Sequence, residues 1–163
     1  MSLFEIHTVQ VGNGTVALSA LPGRDDSYPQ DLKVIRDWRP DLVISMTTEA
    51  EMLQQGAAGL GDDLRAHNIR WHHLPVADFG APSPMIDALW GDVCVAARRV
   101  LAQGGRVLVH CRGGCGRSGM IVLRIMVEHG EMPEAALKRL RVARPCAVET
   151  DGQLEWAAQA ARR

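Results

Sequence analysis

The sequence has almost no net charge and no long hydrophobic run. Its 163 residues include 18 lysines and arginines against 19 aspartates and glutamates, a net charge of −1. This balance creates no field that would attract nucleic acid or an anionic membrane, so we expect neither as a partner. No apolar stretch approaches the ~20 residues that cross a bilayer, and residues 1–10 lack the basic region of a secretory signal. Any anion that the protein binds must therefore be held by a local site.

Paired cysteine motifs and histidine clusters are also missing. Four cysteines are present, and no two of them form a C-x-x-C motif: Cys94, Cys111, Cys115 and Cys146. A chain of this length builds a core without a disulfide or a metal, so we expect reduced thiols in a cytoplasmic protein. His72 and His73 are adjacent on a predicted strand and point to opposite faces, so they cannot chelate a metal together. We expect no metal and no cofactor.

Strands and helices alternate along the chain without a repeat or a linker, so we predict one domain over residues 1–163. We also expect a monomer. The predicted strands are Phe4–Val11, Thr15–Ser19, Leu42–Met46, Ile69–Val76 and Arg106–His110. The predicted helices are Tyr28–Trp38, one capped by Thr48 with Glu51 at capping-box distance, one from Met85 to Gly104, Met120–Glu128, Pro133–Val142 and Asp151–Ala161. This order predicts an α/β fold with a central, mostly parallel sheet and helices on both faces.

A glycine-rich segment, residues 110–119 (HCRGGCGRSG), connects the last predicted strand to the apolar helix Met120–Glu128. A strand, a glycine-rich loop and a helix in this order bind phosphate, because successive backbone N–H groups and the helix N-terminus converge on an anion. The residues that we expect around the phosphoryl group are Arg112, Gly113, Gly114, Cys115, Gly116 and Arg117. The loop lacks the Gly-Lys-Ser/Thr ending of a nucleotide-binding P-loop, which argues against an ATPase.

Cys111 and Arg117 stand at the two ends of this loop, with five residues between them. A cysteine beside N–H donors, a helix N-terminus and an arginine is expected to form a thiolate at neutral pH, and a thiolate is a nucleophile. Arg117 can hold two phosphoryl oxygens through its planar guanidinium and follow their charge into the transition state. Ser118 is placed to donate its hydroxyl to the sulfur, and His110 is placed to order the loop through its ring nitrogens.

The motif His-Cys-x-x-Gly-x-Gly-Arg-Ser-Gly resembles the active-site loop of the cysteine-dependent protein phosphatases. Three further segments are similar to the cyclin-dependent-kinase-associated branch of the dual-specificity group: residues 17–23 (ALSALPG), 74–78 (LPVAD) with 80–82 (GAP), and 147–150 (AVET) with Gln153. The resemblance covers roughly Val16 to Ala157. It implies a dual-specificity phosphatase-like fold with the phosphate-binding loop between a strand and a helix.

The resemblance also implies roles for residues outside the loop. In this group an aspartate on a mobile loop protonates the leaving group, and Asp78, 33 positions before Cys111, matches it. Gln153 matches a glutamine that helps to position the hydrolytic water. Cys115 departs from the residue usually found in the loop: it either forms a protective disulfide with Cys111 under oxidation or is a small loop residue with its sulfur turned away.

The leading hypothesis is a phosphomonoester hydrolase that acts through a phosphocysteine on phosphotyrosine or phosphoserine/threonine in proteins. A phosphoinositide or another small phosphoester is the alternative substrate, although only Arg112 adds charge where tensin-like lipid phosphatases place lysines. A rhodanese-type sulfurtransferase also uses a cysteine in an anion loop, but its loop is typically shorter and it would not need Asp78. A non-catalytic phosphoprotein-binding module would have lost the cysteine, the arginine or the acid, and none is lost.

Overall fold

The central feature of the computed structural model is one five-stranded sheet; the structure describes residues 4–25 and 27–162. Met1–Leu3, part of the segment on which the prediction about a secretory signal rests, lie outside the described residues. The strands are β1 (His7–Val11), β2 (Gly14–Ser19), β3 (Leu42–Ser45), β4 (Arg70–His73) and β5 (Arg106–His110), in the spatial order β1-β2-β5-β3-β4. Only the β1–β2 pair is antiparallel, and the other three pairs are parallel. The predicted mostly parallel sheet is confirmed.

The register of the sheet brings three strand ends to the same level. His110, the last residue of β5, pairs with Ser19 on β2 and with Ser45 on β3. Because these strands are parallel, the segments that follow them leave the sheet at one edge. In open α/β sheets, the carboxyl ends of the strands are where ligands bind.

Seven α-helices of the described chain cover the two faces of the sheet. One layer contains α1 (Tyr28–Trp38), α2 (Glu49–Gln54) and α3 (Leu60–Ala66); the other contains α4 (Pro84–Ala102), α5 (Gly116–Glu128), α6 (Pro133–Ala143) and α7 (Asp151–Ala158), followed by a 3-10 helix, Gln159–Arg162. Successive side chains of β5 point to opposite faces of the sheet. Leu108 packs against the layer of α1–α3, and Val107 and Val109 pack against the layer of α4–α7. No described helix is long and apolar enough to cross a membrane.

The structure differs from the sequence prediction mainly in α3, which was not predicted. Gly56 and Gly59 precede α3 and Gly61 lies in its first turn, where glycine disfavours a helix. Leu60 and Leu64 are fully buried, so tertiary packing stabilises α3. Gly61 is required there, because a Cβ would lie 2.5 Å from the Trp71 ring. Two predicted strands, Phe4–Val11 and Ile69–Val76, are shorter in the structure, and the predicted helix Asp151–Ala161 changes to 3-10 geometry after Ala158.

Candidate active site

The phosphate-binding loop lies at the carboxyl edge of the sheet, where residues 111–115 connect β5 to α5. Cys111, the first residue after β5, is only 3% exposed, and its Sγ lies 3.2 Å from the Oγ of Ser118 in the first turn of α5. This distance allows the serine hydroxyl to donate to the sulfur. The structure thus brings together the predicted nucleophile and its predicted hydrogen-bond donor.

The backbone of the loop packs against the end of β2. The N–H of Leu21 donates to the carbonyl of Arg112 at 3.1 Å, and the N–H of Val148 donates to the carbonyl of Cys115 at 3.2 Å. Gly114 has φ +73°, and a Cβ there would lie 2.6 Å from the carbonyl carbon of Ser19. Only glycine satisfies both the left-handed backbone and this close approach. The path of the loop therefore explains Gly114 of the motif.

Arg117 is buried at the start of α5 and is held by Glu51 of α2. The two Nη atoms of Arg117 lie 2.7 Å from the two carboxylate oxygens of Glu51, and Nη1 also donates to the carbonyl of Val76 at 2.8 Å. Burial disfavours the charged guanidinium, but the hydrogen bond to Glu51 and the nearby Cys111 and Asp78 outweigh it and raise the pKa of Arg117. Its Nε is buried and has no hydrogen-bond partner among the described residues. That nitrogen remains available for a ligand.

Glu51 is the main site residue that the sequence analysis did not assign. Burial disfavours its ionised form, but hydrogen bonds from the Arg117 side chain and the Thr48 backbone outweigh this cost and lower the pKa of Glu51 to about 2. The predicted capping box with Thr48 is present. The same carboxylate therefore caps α2 and fixes Arg117, 66 residues away. The capping-box pattern in the sequence predicts the contact of Glu51 with Thr48 and gives no sign of its contact with Arg117.

Asp78 lies beside Arg117 in the loop between β4 and α4. Its Oδ1 is 3.4 Å from Nη2 of Arg117, and its side chain is 43% exposed. The same Oδ1 accepts a hydrogen bond from the backbone N–H of Phe79, whose φ is +63°. This carboxyl group is open to solvent on one side and close to Arg117 on the other, and its role as a proton donor stays a prediction.

His110 lies behind the loop and is completely buried. Burial lowers its pKa to about 4, so the ring is neutral at physiological pH. Its Nε2 is hydrogen-bonded to the Oγ of Ser45, which accepts from Nε1 of Trp71 at 2.8 Å, and its Nδ1 lies 3.4 Å from the carbonyl of Cys111. These contacts fit an imidazole with the proton on Nδ1. Ser45 and Trp71 were not identified from the sequence, since isolated strand residues carry no motif.

Gln153 connects the loop of Asp78 to α7. Its Oε1 accepts from the N–H groups of Glu149 and Thr150, at 2.9 and 3.3 Å, and its Nε2 donates to the carbonyl of Gly80 at 3.1 Å. It forms a capping box with Thr150. These bonds use one N–H of the amide, so the second N–H remains for the predicted contact with water, which stays a prediction.

The expectation of four reduced thiols is wrong for two of them, because Cys115 forms a disulfide with Cys146. Cys111 and Cys94 are free. Cys115 is consequently not the partner of Cys111, and its sulfur is bonded to Cys146 instead. The two cysteines are 31 positions apart, and their approach depends on how the segment after α6 folds back onto the loop. The described residues contain no group of three or more metal-binding side chains that could hold an ion.

A buried cysteine and an arginine around a glycine-rich strand–loop–helix turn, with an aspartate beside the arginine, define the class of the dual-specificity and tyrosine phosphatases. A family model described as "Polymorphic toxin system, DSP-PTPase phosphatase" (Tc-R-P) matches residues 20–131, more than half of the chain. The chain belongs to this family.

Comparison with known proteins confirms the resemblance to the kinase-associated branch. Cyclin-dependent kinase inhibitor 3 is 27% identical in Mus musculus, over 135 residues, and 28% identical in Rattus norvegicus, over 136 residues. Each alignment covers 79% of this chain and 63% of the relative, so the chain matches less than two thirds of the relatives' length.

Solved structures show the same fold. Kinase-associated phosphatase, crystallised with its catalytic-site cysteine replaced by serine, has a TM-score of 0.85 at 22% identity, over 98% of this chain and 94% of that one. Tk-PTP in its active form has a TM-score of 0.72 at 29% identity, over 91% and 92%. PTPMT1 in complex with PI(5)P has a TM-score of 0.76 at 22% identity, over 95% and 94%.

Proposed function

We propose that this protein hydrolyses phosphomonoesters through a phosphocysteine intermediate on Cys111. One observation supports the proposal above the others: Asp78, from the loop before α4, lies beside Arg117, whose own segment also carries the Cys111–Ser118 pair. A glycine-rich anion-binding turn alone would not need an aspartate 3.4 Å from its arginine. In this proposal Cys111 is the nucleophile, Arg117 holds the phosphoryl group and Asp78 is the proton donor.

The first step is an attack of the Cys111 thiolate on phosphorus. The S–P bond forms as the P–O bond to the alcohol breaks, and Asp78 gives its proton to the departing oxygen. Nε and one Nη of Arg117, with the loop N–H groups, hold the phosphoryl oxygens as charge moves onto them. The hydroxyl of Ser118 donates to the sulfur and stabilises the thiolate at both ends of the reaction.

The second step returns the enzyme to its starting state. Water attacks phosphorus, the S–P bond breaks, and the electron pair returns to the Cys111 sulfur. Asp78 takes the proton that water loses, so inorganic phosphate leaves and the carboxyl is again protonated. Gln153 is the residue proposed to orient this water, through the side-chain N–H that does not donate to Gly80.

The decisive test is Cys111→Ser, since a serine hydroxyl does not ionise at neutral pH whereas the cysteine thiol can. We expect the variant to lose turnover of p-nitrophenyl phosphate and to keep its fold and its binding of inorganic phosphate or tungstate. Cys94→Ser, at a free cysteine outside the loop, is the matched control and should retain turnover. Activity of Cys111→Ser within tenfold of the unchanged protein would exclude the covalent mechanism; loss of turnover in both variants would not support it.

We propose phosphoproteins as the substrate class, with phosphotyrosine, phosphoserine or phosphothreonine as the reacting group. Only Arg112 is an additional exposed cation in the loop, and Cys115 is engaged in a disulfide, so the loop offers little to hold extra phosphates of a phosphoinositide. A panel of phosphopeptides and phosphoinositides, assayed with the unchanged protein and Cys111→Ser, tests this choice. Preferential turnover of a phosphoinositide would reassign the substrate, and binding of phosphopeptides without turnover would indicate a binding module.

The proposals on cellular context are that the protein is a monomer of a single domain over residues 1–163, acting without a cofactor. The cytoplasmic location expected from reduced thiols has lost part of its support, because a disulfide such as Cys115–Cys146 persists in an oxidising compartment. Thiol labelling of the protein taken directly from its source distinguishes the two. Two labelled cysteines would place the bond, and the protein, outside a reducing compartment, whereas four would support the cytoplasm.

A further inference from the structure

The carbonyl groups of residues 112–115 in the phosphate-binding loop bond to other parts of the protein. Besides the bonds from Leu21 to Arg112 and from Val148 to Cys115, the side chain of Arg144 donates to the two carbonyls between them. Its Nη2 lies 3.0 Å from the carbonyl of Gly113, and its Nε lies 3.1 Å from the carbonyl of Gly114. Four consecutive carbonyls, residues 112 to 115, are thus bonded on the outer side of the loop.

These bonds fix the direction of the N–H groups on the opposite side. The described peptide bonds are all trans, and in a trans peptide the C=O of one residue and the N–H of the next point in opposite directions. Holding the carbonyls of residues 112–115 outward therefore turns the N–H groups of residues 113–116 inward. Those are the groups that a phosphoryl anion needs, and they are worth most when they are aligned before the anion arrives.

Arg144 is itself held against the loop by covalent and polar links. It caps the C-terminus of α6, and two residues later Cys146 forms the disulfide with Cys115 inside the loop. Arg141, one turn earlier, donates to the carbonyls of Ala147 and Val148 at 2.9 and 2.8 Å. Gly119 of α5 packs so closely on this segment that a Cβ would lie 2.6 Å from the nitrogen of Val148. We call residues 144–148 the loop brace.

On the basis of the function proposed above, we propose that Arg144 is a positioning residue for the phosphate-binding loop, and that the Cys115–Cys146 disulfide holds the loop brace in place. Arg144 touches no substrate and acts by orienting the N–H groups of Gly114 and Cys115. Its planar guanidinium spans two adjacent carbonyls, a two-point contact that a lysine ammonium cannot reproduce. Reduction of the disulfide by a dithiol breaks the S–S bond, forms two thiols and converts the dithiol to its own disulfide, which frees the brace.

The test measures the affinity of the loop for an oxyanion without any turnover. Arg144→Gln and Arg144→Lys are prepared in the Cys111→Ser background, so that oxidation of the nucleophile cannot interfere, and titrated with inorganic tungstate by calorimetry. We expect both to bind about tenfold more weakly or worse, the loss that follows when one charge-assisted hydrogen bond is misaligned. Arg139→Gln, on the same helix but bonded to Glu131 and Gln10, is the control and should bind as the parent does.

Two further measurements keep positioning separate from folding and from charge. In the protein with Cys111 intact, Arg144→Gln should raise the KM for p-nitrophenyl phosphate and lower kcat. Its far-ultraviolet circular dichroism spectrum should equal that of the parent. In the Cys111→Ser background, dithiothreitol should weaken tungstate binding, and Cys146→Ser should remove this sensitivity, whereas Cys94→Ser should preserve it.

The outcomes separate this inference from the proposed function. Unchanged tungstate affinity in Arg144→Gln would overturn the positioning role, and an Arg144→Lys variant equal to its parent would show that only charge matters and would also overturn it. If dithiothreitol changes tungstate binding equally in the parent and in Cys146→Ser, the proposed role of the disulfide is overturned. If the Cys111→Ser parent binds no tungstate at all, the anion-binding loop itself, and with it the proposed function, fails.

Discussion

Arg117 is fixed before any substrate binds, because Glu51 holds both of its terminal nitrogens and Val76 accepts from one of them. A guanidinium held in this way loses little side-chain entropy when it binds a phosphoryl group, and it needs no reorganisation in the transition state. The contribution of Glu51 is therefore made through Arg117. The side chain of Arg117 is 1% exposed and that of Glu51 is 15% exposed.

Replacing Glu51 by glutamine removes the charge that fixes Arg117 and keeps the shape of the side chain. We expect kcat/KM for p-nitrophenyl phosphate to fall roughly 10- to 100-fold, since a hydrogen bond to a charged group is worth about 1.5–3 kcal/mol and each tenfold in rate is about 1.4 kcal/mol. Steady-state kinetics measures the loss. Glu49→Gln, exposed in the first turn of the same helix, is the control and should be neutral. Equal kinetics for the two variants would mean that Arg117 is positioned without Glu51.

Asp78→Asn should be most damaging when the leaving group is a strong base. An alkoxide from phosphoserine needs a proton as the P–O bond breaks, whereas p-nitrophenolate leaves with much less help. General acid catalysis contributes roughly 10²–10⁴-fold, so we expect a loss in that range for alkyl phosphates and a smaller one for p-nitrophenyl phosphate. The basic limb of the pH–rate profile should flatten. Asp92→Asn, exposed on α4, serves as the control, and a uniform small loss for every leaving group would take the acid role away from Asp78.

At the scale of the elements, the site depends on the turn between β5 and α5 lying directly on the end of β2. Gly114 makes this approach possible with its positive φ and its missing side chain. The loop brace approaches α5 from the other side through Gly119. The loop is consequently held between β2 and the segment after α6, and its shape depends on both neighbours.

Gly114→Ala should disturb the loop more than it disturbs the protein. A methyl group would lie 2.6 Å from the carbonyl carbon of Ser19 and 2.8 Å from the nitrogen of Ala20, and both are backbone atoms that cannot move aside easily. We expect a loss of stability of roughly 1–3 kcal/mol by urea unfolding, from strain at a special φ and a clash, with a marked loss of oxyanion affinity. Gly152→Ala on α7, where a Cβ meets nothing within 4 Å, is the matched control and should be neutral or slightly stabilising. Normal tungstate binding by Gly114→Ala would contradict the close packing of the loop.

At the scale of the whole molecule, the buried His110 and the half-buried Glu51 connect stability to pH in the same direction. The pKa of His110 falls to about 4 because burial disfavours the imidazolium, and the pKa of Glu51 falls to about 2 because its hydrogen bonds from Arg117 and Thr48 outweigh burial. In both cases the unfolded chain binds the proton at a higher pH than the folded one. The free energy of unfolding therefore decreases as the pH falls, first from about 6.5 towards 4 for His110 and then from about 4.5 towards 2 for Glu51.

Urea unfolding at a series of pH values from 8 to 3 checks this linkage. His110→Asn should flatten the upper part of the profile, and Glu51→Gln should flatten the lower part, because each removes the group that titrates there. His67→Asn, at an exposed histidine at the end of α3, should leave the profile unchanged. A free energy of unfolding that stays constant between pH 7 and 4 in the unchanged protein would contradict the burial of a neutral His110.

The sequence alone predicted the elements whose cause is local. Pro29 near the start of α1 and the left-handed Arg39 before Pro40 limit that helix, and Tyr28–Trp38 is observed as predicted. The β-branched run Arg106–His110 is likewise observed as predicted. The helix α3 escaped prediction because it is short, has Gly61 in its first turn and is stabilised by the burial of Leu60 and Leu64. The strand after Ile69 was predicted too long, since its partner β3 ends at Ser45 and a ladder needs two strands.

The same distinction separates the parts of the site. Cys111, Arg117 and Ser118 were found from the sequence because a phosphate-binding turn needs its groups within one short segment. Residues 110–119 show that spacing directly in the sequence. Glu51 on Arg117, Trp71 and Ser45 behind His110, Arg144 on the loop carbonyls and the bond between Cys115 and Cys146 were decided only by the tertiary structure. These contacts join segments that the chain order leaves far apart, and their geometry depends on how the helices pack on the sheet. The type of a side chain determines which bonds it can form. The packing of the whole fold determines with which residue it forms them.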